Sequence, residues 1–254
     1  MIDEWKNVHH SSFIIDWEGI LADELNELVE RLSKAHRENL ESIVLYGSAA
    51  STKPDEARTK KVLVVLDRIA PADLKSAHDV AEWWRSEGNP VPVYFTSEEI
   101  ADSSDVFPIE FIDMSQARRV LYGKDPFEGL AISTENLRHQ LEYELRAKLL
   151  RLRRLYIPAS RNPGQLAKLM TDSLDNFAVL FRHVLTMLGK EAPFNRRECV
   201  MKLADELKLD KKVFSRILEH AGGHEVWLEW EANEIFGNYL EQIGKVVEFV
   251  DQQA

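Results

Sequence analysis

Residues 43–66 read IVLYGSAASTKPDEARTKKVLVVL: a short apolar run closed by Gly47-Ser48, a polar loop, and a second apolar run. Gly-Ser at the end of a strand suits an anion, because Gly47 has no Cβ to obstruct approach and the turn aims N–H groups and a hydroxyl outward. The same pair also serves as an ordinary turn. Lys61 opens the second run and brings an ammonium. It can hold an anion such as phosphate beside Gly47 and Ser48 without a metal, or simply reach solvent.

Three further groups could do chemistry. The run LRHQLEYELRAKLLRLRR at residues 137–154 concentrates basic residues in a chain of net charge −11. Arg146 and Arg153 in it are candidates for a positive wall over an anion-binding cleft, or for a dock for an acidic or phosphorylated partner. Pairing with acids elsewhere in the chain is the competing expectation. Asp172, Asp175 and Asn176 share a helix face, where an aspartate could act as a base or stand in solvent. His183, His220 and His224 are scattered, and with Cys199 as the only cysteine no zinc pattern forms. Trp227, Trp230, Phe236 and Tyr239 read as core.

These groups have to be positioned by elements. Residues 18–38 place Leu21, Leu25, Leu28 and Leu32 at helical spacing. SIVLYG and VLVVL are strands, the second apolar on both faces and therefore central. Pro71 opens a helix running to about Glu87, Val91–Phe95 is a third strand, and Thr96 or Ser97 caps the next helix. VFPIEFIDM reads equally as strand or turn. From about Thr134 only helices remain, at roughly 134–157, 163–189, 194–207, 210–221 and 225–251, with breaks at Pro158, Pro163, Gly189, Pro193 and Gly222-Gly223. An α/β part followed by an all-helical part predicts two domains, 1–128 and 129–254.

At 254 residues and 44% hydrophobic content the chain has ample material for a core. The acidic balance does not invite nucleic acid or an anionic membrane surface. No apolar run approaches the roughly 20 residues that span a bilayer, and MIDEWKNVHH lacks the pattern of a secretory leader. One cysteine suits a reducing compartment, so the expectation is a soluble cytoplasmic protein.

VLYGSAA…KKVLVVLD, the helix ahead of it and VLYGKDPF downstream resemble the nucleotidyltransferase superfamily, in the branch with polymerase-β-like and aminoglycoside-nucleotidyltransferase-like domains, over roughly residues 20–125. The resemblance implies an α+β fold, with a small mixed sheet in the N-terminal part and a helical bundle behind it. In that family a strand ends in Gly-Ser and the next opens with Asp-x-Asp. Those acids hold divalent metals on the nucleotide triphosphate, and a third acid on a later strand completes the site. Gly47 and Ser48 match the turn, but Thr59 and Lys61 fall where the two acids belong, and VPVYF holds no acid.

Two-metal transfer needs clustered carboxylates, since Mg²⁺ takes oxygen ligands. Asp67 lies about 20 Å along the strand from Lys61, out of coordination range. Asp55, Glu56, Glu110 and Asp113 are the acids left to rebuild a metal site. The resemblance and its departures together imply a catalytically degenerate protein, a pseudoenzyme with a binding or regulatory role, which holds nucleotide or phosphate at Gly47, Ser48 and Lys61 and has no catalytic or metal-binding residue. The alternative is an active nucleotidyltransferase that uses Mg²⁺ and an NTP to modify a hydroxyl of a small molecule or a protein. A third reading is an interaction module that dimerises through its helical half.

Overall fold

The computed structural model describes residues 17–51, 59–102, 107–130, 136–220 and 227–253, with side chains from residue 23. Helix α1 (Trp17–His36) leads into strand β1 (Leu40–Tyr46), a 3-10 turn at Gly47–Ala50, and strand β2 (Lys61–Leu66). There follow α2 (Pro71–Ser76), α3 (His78–Ser86), β3 (Val93–Thr96), α4 (Ser97–Asp102), α5 (Pro108–Gln116) and β4 (Arg118–Gly123). The sheet is mixed, in the order β3-β2-β1-β4, with β2 parallel to β3 and the other pairs antiparallel. Its two interior strands are the two whose sequences are apolar on both faces, as burial on both sides requires.

Alternation along β1 and β2 divides the core between the faces. Ile43, Leu45, Val62 and Val64 pack with Leu28 and Leu32 of α1 and with Trp84 of α3. On the other face, Val44, Tyr46, Leu63 and Val65 meet Phe111 and Met114 of α5, and Phe127. Lys61 pairs in register with Tyr46 and has the parity of Leu63 and Val65, so it belongs to the α5 face. Lys60 is directed the opposite way, to Glu24 of α1 at 2.6 Å.

The C-terminal part consists of α6 (Leu137–Ala159), α7 (Pro163–Met187), α8 (Arg196–Glu206), α9 (Lys211–His220) and α10 (Glu229–Asp251). These helices match the periodicities read from the sequence to within a few residues at each end. Asn162 and Asn195 cap α7 and α8 by accepting hydrogen bonds from Gln165 and Glu198, each at 3.0 Å. Inside the bundle Phe177, Phe181, Phe214 and Tyr239 meet edge to face or tilted. Tyr156 stacks on Phe236 at 4.3 Å and donates to Asn233, joining α6 to α10.

Four expectations need correction. VFPIEFIDM is neither strand nor turn: it contributes helix α5, with Pro108 in the first turn where a missing N–H costs nothing. The helix expected over 71–87 is two helices that meet at Ala77. Pro158 does not end α6, which runs on to Ala159. Trp227 is core, but Trp230 is 66% exposed. Among the described residues, no helix is long and apolar enough to cross a membrane.

Candidate cleft beside the glycine-serine turn

Gly47 follows β1 with φ +78, a left-handed conformation that a side chain would strain. A Cβ there would meet Lys61 Cδ at 3.9 Å, an ordinary contact, so the dihedral rather than crowding requires glycine. The Gly47 N–H donates to the Ala117 carbonyl at 2.9 Å and is therefore not free for an anion. Ser48 is half-buried, and its carbonyl accepts from both the N–H and the hydroxyl of Ser51. An anion at this turn is left with the Ser48 hydroxyl and the Lys61 ammonium. Lys61 is exposed as a residue, yet its surroundings lower its pKa, through burial first and the Arg182 charge second. Solvent contact screens much of that effect.

Helix α5 builds the opposing wall. Phe111 and Met114 seat it on the sheet, while Ile109 and Ile112 enter the core of the helical bundle. Its polar residues are thereby directed along the seam between the two cores. Gln140 of α6 clamps its start, accepting from the Ile109 N–H and donating to Glu110, each at 3.0 Å. The charge of Glu110 is felt by Tyr46, whose hydroxyl is pushed up to about 12 by burial first and Glu110 second.

Further along α5, Asp113 pairs with Arg182 of α7. Arg182 is 5% exposed, donates to Gln116 at 2.9 Å and lies 4.4 Å over the Phe194 ring. Next to it His183 has no exposed surface. Its Nε2 lies 2.8 Å from Asp113 Oδ1, a close contact without hydrogen-bond geometry. Burial first, then the Arg182 charge, bring the imidazole down to about 3, so it is neutral at ordinary pH.

The cluster therefore joins Lys61, Glu110, Asp113, Arg182 and His183 from three distant stretches of chain. Reading the sequence did not select Arg182, and it set His183 aside as one of three scattered histidines. The clue was FAVLFRHVLTM, an arginine and a histidine inside an otherwise apolar helix, where a buried charge demands a partner.

Other candidates lie elsewhere. Arg146 is held by Glu142 at 2.9 Å and by Asp251 at the end of α10, at 3.2 Å, while Arg153 is exposed on α6. Asp172 pairs with Lys168 and Asp175 with Arg196, surface partners in both cases. His220 stacks on Trp227 at 4.1 Å. Asp55, Glu56 and His224 lie outside the described residues.

A divalent metal does not fit the side chains described here. Thr59 is a neutral, exposed residue, Lys61 would repel the ion, and Asp113 is already matched by Arg182. Among the described residues, no three His, Cys, Asp or Glu side chains gather as a metal site requires.

No protein-family model matches the sequence, and no characterised protein matches it at the level of sequence. The fold does have a counterpart among solved structures: the spectinomycin adenyltransferase AAD(9) from Enterococcus faecialis, solved with ATP and spectinomycin. The two superpose with a TM-score of 0.56 at 14% sequence identity, over 87% of this chain and 99% of that one. The chain thus has the nucleotidyltransferase fold, with a mixed sheet followed by a helical C-terminal part.

Proposed function

We propose that this protein is a catalytically degenerate nucleotidyltransferase-fold protein that binds nucleotide or phosphate without transferring it, in a cytoplasmic binding or regulatory role. Residues 1–128 and 129–254 are its two working units, and Ser48, on the turn that Gly47 shapes, forms with Lys61 the gripping side of the cleft between them. The observation that carries this reading is the charge at the mouth of β2. Lys61 stands there within the field of the Arg182 charge, and Glu110 and Asp113 of α5 are engaged by Gln140 and Arg182. An ammonium there supplies positive charge that a metal would otherwise bring to a phosphate. It offers no site for polarising a leaving group through a chelated ion.

Isothermal titration with ATP, with Mg²⁺ and with EDTA, tests the proposal. Binding of equal strength in both, lost in Lys61→Ala, is the expected result. No binding in either condition would end it.

A second reading has one observation in its favour. The solved counterpart is an adenyltransferase holding ATP and spectinomycin, and it is matched over nearly its whole length. If this chain transfers AMP through unconventional carboxylates, incubation with labelled ATP and Mn²⁺ in the presence of hydroxyl acceptors will yield an adenylylated product. That product would displace the degenerate reading.

A further inference from the structure

Helix α6 carries apolar residues on two opposite sides. Leu141, Leu145, Leu149 and Leu152 are buried in the bundle core against α7 and α10. Tyr143, Leu150 and Ile157 lie on the reverse side, 71%, 63% and 73% exposed. At 3.6 residues per turn a spacing of seven repeats almost the same direction, so the three form a line about 21 Å long. One exposed apolar side chain is ordinary, but three in register on the outer face of a bundle helix mark a contact surface. Trp230 is also exposed, at the start of α10, which the Asn233–Ser160 hydrogen bond holds against the same end of α6.

Arginines border the line on both sides, Arg146 and Arg153 on one and Arg151 and Arg154 on the other, all exposed. Arg146 is satisfied by Glu142 and Asp251. Among the described residues Arg151, Arg153 and Arg154 have no such ion pair, in a chain with eleven more acidic than basic charges.

We propose that this face docks an acidic amphipathic helix of a partner protein. Single-file apolar residues at a seven-residue repeat form the seam that another helix fills, and guanidinium groups on either side are placed to take its flanking carboxylates. A second copy fits poorly, because antiparallel packing of two α6 helices about Leu150 would set the arginines of one against those of the other. A lipid surface also fits poorly. An interfacial helix buries a broad apolar face, whereas this one is a single file and the whole chain is acidic. The proposal stands whether or not the cleft beside Lys61 holds a nucleotide.

The test uses the full chain and a fluorescent synthetic helical peptide with leucines at a heptad repeat flanked by glutamates, beside a twin carrying lysines instead. Anisotropy is expected to show the glutamate peptide binding at least about tenfold more tightly than its twin. Leu150→Ser with Ile157→Ser is expected to weaken it at least about tenfold while circular dichroism stays unchanged. Arg153→Glu with Arg154→Glu is expected to reverse the preference between the peptides, which a folding defect would not do. Absence of binding, or equal binding of both peptides, overturns the proposal. So does a dimer in sedimentation that Leu150→Ser with Ile157→Ser dissociates, which would make a second copy the occupant. Retention on phosphatidylserine vesicles without peptide binding would identify a membrane instead.

Discussion

Lys61 and Arg182 approach one another across the seam, and the acids around them determine what each can do. Gly47, on the sheet side, has a conformation open to few residues besides glycine, so Gly47→Ala is expected to lower stability by about 1–2 kcal/mol in urea unfolding. Asp113 balances the buried Arg182, and Asp113→Ala would leave that guanidinium with Gln116 as its remaining hydrogen-bond partner on α5. A loss of about 3 kcal/mol or more is expected, the usual consequence of stranding a buried charge. His183 faces Asp113 and Glu110 from α5, Arg182 from its own helix and Lys61 from the sheet. Its folded pKa of about 3 lies below the ordinary 6.5. Between these values the unfolded chain takes up a proton that the native imidazole refuses. Stability from this residue is therefore complete above pH 6.5 and falls as the pH drops toward 3, by up to about 1.4 kcal/mol per unit. Urea midpoints between pH 7 and pH 4 should fall more steeply for the natural protein than for His183→Gln.

At the scale of elements, the helices of the C-terminal part were legible because their signals are local. The starts of α7 and α8 fall at or near the expected 163 and 194, and the structure adds the caps Asn162 and Asn195, which the sequence reading did not single out. Asn162→Ala is expected to cost about 1 kcal/mol, measured by thermal or urea unfolding. Tyr156 adds a hydrogen bond to its stacked ring, so Tyr156→Phe should retain most of its stability, with a loss of about 1 kcal/mol in the same measurement. Helix α5 was missed because Ile, Phe and Val are strand-rich residues and the segment is short. Pro108 at its start and the threefold spacings of Ile109 with Ile112 and Phe111 with Met114 carried the helical pattern. Those two pairs serve different cores, so α5 follows neither the strand alternation nor a single apolar stripe.

For the whole molecule, α5 and the Arg182–Asp113 pair are what tie the sheet to the bundle. Calorimetry on the natural protein is therefore expected to give one cooperative transition, since apolar and ionic contacts both cross the seam. Asp113→Ala should separate it into two, with the sheet part and the bundle melting apart. A single transition retained in that variant would mean that Ile109 and Ile112 suffice to couple them.

The sequence by itself determined α1, the strands β1 to β3 and the helices of the C-terminal part, the burial of β1 and β2, and the presence of a lysine where the resemblance requires an acid. All of these follow from residue type and from periodicities of two and 3.6, which act over a few neighbours. It left open whether Glu110 and Asp113 could replace the missing acids, and it gave no reason to connect them with Arg182 and His183. Only tertiary packing decided that Asp113 meets Arg182 and His183, because α5 had to be placed between two cores before that carboxylate could find α7. The buried guanidinium then claimed Asp113, since a charge withdrawn from water takes the nearest opposite charge.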